Sequence, residues 1–166
     1  ADTLPLIWAE SVMPEGFAFR AERRNHVPFF AVELGQPHLV TKTTCVLVQR
    51  TTSKEQGRRL VAAVLPQDFL DCNGGAVVEN HLNMVYSPSL LLARVSPATI
   101  AALLNTEAVD RVFRCISGSV AVSAYELNAL PLPAVEQLIS LEKGLFSGAL
   151  EKATIERLVS SFYGII

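Results

Sequence analysis

The stretch Leu130-Pro131-Leu132-Pro133 constrains this chain more than any other. Each proline disfavours helical backbone at the residue before it, so the tetrapeptide must be an extended connector. It divides the sequence into two kinds of pattern. Downstream, apolar residues recur at helical spacing and predict two amphipathic helices, about 134–143 and 149–163. Leu150, Ile155, Leu158 and Val159 mark the buried side of the second. Upstream, Ser96-Pro97 is a helix start, an N-cap followed by proline at the first helical position. Ile100, Leu103 and Leu104 supply that helix with an apolar face. Asn105-Thr106 interrupts it, and Thr106 caps a second helix running through Arg114.

The front of the chain reads differently. Residues 1–40 look like short strands and turns, with 17–19 and 29–34 rich enough in aromatic and β-branched residues for strands. The segment 43–51 is a stronger strand, because Cys45-Val46-Leu47-Val48 is a short apolar run ending in the polar tip Gln49-Arg50-Thr51-Thr52-Ser53. The segment 53–65 switches to helical spacing. Ser53 is its cap, Leu60, Val61 and Val64 lie on one face, and Arg58 and Arg59 sit near its end to complement the helix dipole. Gly57 weakens that helix by roughly 1 kcal/mol. The sequence further predicts a turn at 71–75, a strand over 77–86, a turn at Ser117-Gly118-Ser119 and a short strand through Val120 and Val122. The fold expected is α+β, a mixed or antiparallel sheet with flanking helices and a helical C-terminus, in a single domain 1–166.

Half of the residues are hydrophobic and 18% are charged, enough apolar material for a core. No apolar run reaches the ~20 residues that span a bilayer, so no membrane partner is expected. Cys45, Cys72 and Cys115 are odd in number and widely spaced, which argues against a disulfide framework and favours a reducing cytoplasm. No CxxC pair points to structural zinc. The start lacks a signal peptide. Ala1 stands where an initiator Met is expected, which suits a processed or excised fragment.

Motifs for chemistry are missing. The sequence contains no GxGxxG after a strand, no GxxxxGK[ST], no HExxH and no GxSxG. It also lacks the Asn/Asp-Pro-Pro-aromatic tetrapeptide with which amino-methyltransferases hold a target amine. Cys72 and His81 can be drawn as nucleophile and base of a small hydrolase, but nothing in the sequence orients them.

The formal net charge is −2, yet its distribution is uneven. Between Lys42 and Leu60 the bases Lys42, Arg50, Lys54, Arg58 and Arg59 face one acid, Glu55. A strand tip projecting Arg50, Thr51, Thr52 and Lys54 suits phosphate contacts, and Arg suits guanine in the major groove. The same residues also suit a solvated strand–helix connection. His81 and Asn83 are two apart and share a face if both lie on a strand. Asn is a natural adenine reader, or the pair simply fixes a loop. Ser117-Gly118-Ser119 offers hydroxyls and backbone amides to a phosphate, or is an ordinary turn. Tyr125 and Trp8 can stack on a base or fill a core.

Three blocks occur in order. The first is Val46-Leu47-Val48-Gln49-Arg50-Thr51-Thr52 with Glu55 and Arg58-Arg59-Leu60-Val61-Ala62-Ala63. The second is Glu79-Asn80-His81-Leu82-Asn83. The third runs from Ala101-Ala102-Leu103-Leu104-Asn105 through Asp110-Arg111-Val112-Phe113-Arg114 and Ser117-Gly118-Ser119 to Glu126-Leu127. This series resembles the C-terminal specificity region of N6-adenine DNA methyltransferases of type II restriction–modification systems, in the PstI/BsuBI-like or TaqI-like group. The resemblance covers roughly residues 40–135 and carries over onto Arg50, Thr51, Thr52, Arg58, Arg59, His81, Asn83, Arg114, Gly118 and Glu126.

What it implies is a two-part parent. A Rossmann-like domain, absent here, would bind S-adenosylmethionine and flip the adenine, while this chain, holding no cofactor itself, reads double-stranded DNA. The apolar first 35 residues and the C-terminal helices are expected to dock on that catalytic domain. The chain departs from the family around Gly118: Ser119-Val120-Ala121-Val122-Ser123 lacks the amide side chains usual there, which argues against base reading by that turn and leaves phosphate contact or a different target sequence. An alternative is a specificity subunit that recruits a separate methyltransferase through an amphipathic helix.

Overall fold

The computed structural model describes residues 2–22, 25–52, 57–89 and 92–165. Its strands are β1 (Asp2–Ile7), β2 (Val12–Met13), β3 (Gly16–Phe17), β4 (Phe29–Val32), β5 (Val40–Thr41), β6 (Cys45–Gln49), β7 (Ala62–Leu65), β8 (Ala76–Val78) and β9 (Leu82–Val85). Its α-helices are α1 (Gln67–Asn73), α2 (Pro97–Leu104), α3 (Glu107–Ile116), α4 (Ala124–Asn128), α5 (Val135–Phe146) and α6 (Lys152–Phe162). One sheet is mixed, in the order β4-β1-β8-β5, with β1 and β8 parallel. A second is antiparallel, in the order β7-β6-β9, and β2 and β3 form a small hairpin. The expected α+β class holds. Among the described residues no helix is long and apolar enough to cross a membrane.

The centre of the molecule is β6, which is buried along its whole length. Side chains alternate across a strand, and here both faces are covered. Val46 and Val48 enter a core built with Leu103, Val109, Phe113, Leu138, Leu141 and Val159 of the helices. Cys45 and Leu47 enter another with Ile7, Val12, Leu70 and Leu82 from the front half. A strand enclosed on both faces reads as a continuous apolar run, which is how 45–48 reads. Phe113 is fully buried, and its truncation to Ala costs about 3–5 kcal/mol.

The helical half follows its sequence signals closely. Ser96 caps α2 by accepting the Thr99 N–H at 3.4 Å, and Thr106 caps α3 by accepting that of Val109 at 3.3 Å. The extended 130–133 connector and the two C-terminal helices also lie where expected.

The expected helix over 53–65 is corrected. Residues 53–56 lie outside the described residues, 57–61 are irregular, and 62–65 form β7. Val48 pairs with Ala62 and Cys45 with Leu65. A run of six apolar residues cannot be told from a helix by periodicity alone, and burial on both faces decided it. Gly57 has φ +65°, a left-handed turn conformation. The turn expected at 71–75 begins too early: Gln67–Asn73 is helical, and Gly74 closes it at φ +73°.

The strand expected over 77–86 is two strands in different sheets, split at Glu79. The short strand expected through Val120 and Val122 is only an isolated bridge from Ala121 to Thr51. Helix α4 was not anticipated, although Ser123 and Glu126 form a capping box that the sequence displays.

Candidate nucleic-acid interface

Beyond β6 the chain bends at Arg50, and Arg50 and Thr51 are exposed. Gln49 is still buried, its side-chain amide donating to the carbonyls of Ala9 (3.1 Å) and Val12 (2.8 Å). Arg50 then runs between two other segments. Its N–H donates to the His81 carbonyl at 2.8 Å, and its carbonyl accepts the Val122 N–H at 2.7 Å. Thr51 bridges Ala121. Three stretches far apart in sequence, 50–51, 79–83 and 117–122, are thereby joined at one end of the central sheet. The Arg50 guanidinium is exposed and donates to the Asn80 carbonyl at 3.0 Å.

The 79–81 turn is held by its own carboxylate. Glu79 accepts the His81 N–H at 2.9 Å and meets His81 Nδ1 at 2.7 Å. Burial pushes the Glu79 carboxyl up, but the hydrogen bonds and charge of His81, with the Asn80 amide, outweigh it and leave the pKa below its ordinary value. With Nδ1 engaged, His81 turns Nε2 outward from an exposed ring.

His81 and Asn83 do not share a strand face. His81 lies in the turn, whereas Asn83 lies on β9, is 9% exposed and donates to the Val122 carbonyl at 2.8 Å. Asn83 therefore latches β9 to the 117–122 loop.

That loop satisfies its own hydroxyls. The Ser117 hydroxyl oxygen accepts the Ser119 N–H at 3.4 Å, and the Ser119 hydroxyl donates to the Ala121 carbonyl at 3.0 Å. Behind the loop, Glu126 accepts the Ser123 hydroxyl (2.8 Å) and N–H (3.2 Å). Hydrogen bonds from the Ser123 side chain, then from Ser117 and the Ser123 backbone, hold its carboxyl below the ordinary value. Gly118 and Ser119 are exposed; Ser117 is buried.

Other sequence candidates lie elsewhere. Lys42 is exposed but precedes β6, so it sits at the opposite end of that strand from Arg50. Arg58 does not cap a helix dipole. Its Nε donates to the Leu60 carbonyl at 2.7 Å and its Nη2 to the Asn105 carbonyl at 2.6 Å. Arg59 is half-buried. Arg114 pairs with Asp110 at 2.9 Å and also donates to the Gly57 carbonyl.

Thr52 is buried, and its hydroxyl has no hydrogen-bond partner among the described residues. Lys54 lies outside the described residues. The sequence does not single out Glu79, Asp110 or Val122 as site residues. Their work is done through backbone groups, which no side-chain motif announces.

Chemically, the described residues of this surface offer the exposed Arg50 guanidinium, an outward imidazole nitrogen and a loop that exposes Ser119 and Val120. Among the described residues it holds no nucleophile–base pair. His81 Nδ1 is engaged with Glu79 rather than with Cys72, which lies in α1. The left-handed glycines Gly74 and Gly75 close a helix instead of opening one after a strand, as a cofactor turn would.

By sequence, the chain is related to a region of the methyltransferases of type II restriction–modification systems. Two curated proteins carry that relationship. Type II methyltransferase M.BsuBI of Bacillus subtilis is 36% identical over 99 residues, 59% of this chain and 19% of that protein. Type II methyltransferase M.PstI of Providencia stuartii is 28% identical over 115 residues, 69% of this chain and 22% of that protein. The chain thus spans about a fifth of the length of the curated relatives it matches. No family model matches the chain, and no solved structure matches it significantly.

Proposed function

We propose that this chain is the target-recognition region of an adenine-N6-specific DNA methyltransferase of a type II restriction–modification system. It holds duplex DNA against the surface formed by 50–51, 79–83 and 117–122. Methyl transfer, and the S-adenosylmethionine that supplies it, belong to a catalytic domain in cis. The exposed Val27, Phe29 and Leu34 are the proposed contact with that domain.

The observation that carries this reading is the joining of those three segments around an exposed Arg50, in a chain related to part of type II methyltransferases. Phosphate contacts fix a protein's register on DNA, and base edges supply the sequence information. Arg50 suits the first task or a guanine, and His81 Nε2 suits a hydrogen bond to a base edge.

The test is fluorescence anisotropy of the whole chain against random-sequence duplex DNA across a salt series. Binding should be strongest at low salt, with a log–log slope of about −0.9 per phosphate neutralised, and Arg50→Ala should reduce that slope by about one. No binding at low salt overturns the reading that this chain itself carries the DNA contacts.

A further inference from the structure

Resting on the DNA reading above, we propose that the 117–121 loop enters the major groove and that Val120 reads the 5-methyl group of thymine.

The loop is ill suited to phosphate. Its hydroxyls are consumed internally, and the Glu126 carboxylate stands directly behind it. A phosphate there would meet a negative charge and no free hydroxyl donor. What the loop turns outward is small, and apolar apart from Ser119, whose hydroxyl is engaged with the Ala121 carbonyl. Val120 is 44% exposed, and Gly118 and Ala121 are exposed on either side. In the major groove the thymine methyl is the apolar feature of the base edges, and apolar side chains recognise it.

Gly118 supports the same placement. Its φ is not in the left-handed region, and a Cβ added to it would meet nothing within 4 Å. The fold itself therefore makes no demand for glycine there. An absent side chain leaves clearance for something outside the chain to approach the backbone.

The loop is also fixed in place rather than adaptable. Two residues beyond Val120, Val122 is tied by its N–H to Arg50 and by its carbonyl to Asn83, and Ala121 bridges Thr51. A contact group on such a support needs little ordering on binding.

The experiment begins by enriching duplexes that bind the whole chain from a random library. Binding of the enriched duplex is then compared with that of the same sequence carrying deoxyuridine for thymine, which deletes only the methyl. The wild-type chain should bind the deoxyuridine duplex about fourfold more weakly, the size expected for burying one methyl-sized group. Val120→Ala should bind both duplexes equally. Gly118→Leu should weaken binding while leaving the urea unfolding midpoint unchanged.

Equal affinity of the wild type for the two duplexes, or a difference that survives in Val120→Ala, overturns this inference and leaves the DNA reading standing; binding without sequence enrichment overturns this inference and the target-recognition reading, leaving DNA contact alone. No binding to any duplex overturns both.

Discussion

Asn105 pairs with Ala62 as a neighbouring strand would: its side-chain amide accepts the Ala62 N–H at 3.0 Å and donates to the Ala62 carbonyl at 2.8 Å. Asp110 continues the pattern, with Oδ1 accepting the N–H groups of Arg59 and Leu60, both at 2.7 Å. An unpaired strand edge is a template for pairing with another chain, and here the α2–α3 junction closes the start of β7 with side chains.

Replacing Asn105 by Ala orphans both Ala62 groups. The expected loss is about 1–3 kcal/mol for each group left buried without a partner. Asn105→Asp keeps an acceptor but loses the donor, and should fall between the wild type and Asn105→Ala. The midpoint of urea unfolding measures this, and an unchanged midpoint in Asn105→Ala would show that the pairing contributes nothing.

The arginines should separate into two groups. Arg58 and Arg114 each hold backbone carbonyls of distant segments, so Arg58→Ala and Arg114→Ala should destabilise the fold by about 1–3 kcal/mol. Arg50→Ala, at an exposed position, should stay within about 0.5 kcal/mol of wild type. The salt slope of DNA binding should move in the opposite way, changing for Arg50→Ala alone. Arg58→Ala that lowers the slope at full stability would place Arg58 on the DNA instead.

Local rules recovered the helical half because its signals are local: Ser96 and Thr106 cap, prolines stop, and apolar residues recur within one element. The front half is governed by pairing between distant residues. The run Leu60-Val61-Ala62-Ala63-Val64-Leu65 carries no mark of which strand it will meet, and only Asn105, Asp110 and β6 decide it.

At the candidate site, Arg50 and His81 were legible as exposed polar residues. The division of labour among Asn83, Arg58 and Arg114 was not. A side chain that binds a partner and one that binds its own backbone are the same letter in the sequence.

Cysteine reactivity should report the burial of β6. Burial pushes the Cys45 thiol up to about 11, whereas Cys72 and Cys115 are exposed. The thiolate is the reacting species. Iodoacetamide near neutral pH should label Cys72 and Cys115 in the native protein, and Cys45 only after denaturation, as read by peptide mass spectrometry. Native labelling of Cys45 at a comparable rate would show that β6 opens readily.

Acid should weaken the fold through specific carboxylates. Burial raises the Glu142 pKa, but the Ser96 N–H at 2.6 Å and the Ser96 and Thr99 hydroxyls outweigh it, and the net shift is downward. Glu79 and Glu126 shift the same way. A carboxyl depressed in the folded state stabilises at pH above its unfolded value, and that stability is lost as pH falls through the folded value. The Tm should therefore drop between pH 7 and pH values below the ordinary carboxylate range, and Glu142→Gln should show a smaller drop. An equal drop in Glu142→Gln would remove Glu142 from the acid response.

The enclosure of β6 between two cores has a consequence for how such a surface can change. Each stretch at the candidate site emerges from a buried anchor: Gln49 for the first, Leu82 for the second, Val122 for the third. The exposed residues beside those anchors, Arg50, Thr51, Asn80, His81, Gly118 and Val120, can be exchanged without opening either core. Shape and the exposed groups of the proposed DNA surface thus rest on separate sets of residues, so a change in those groups requires a few surface replacements and no new architecture.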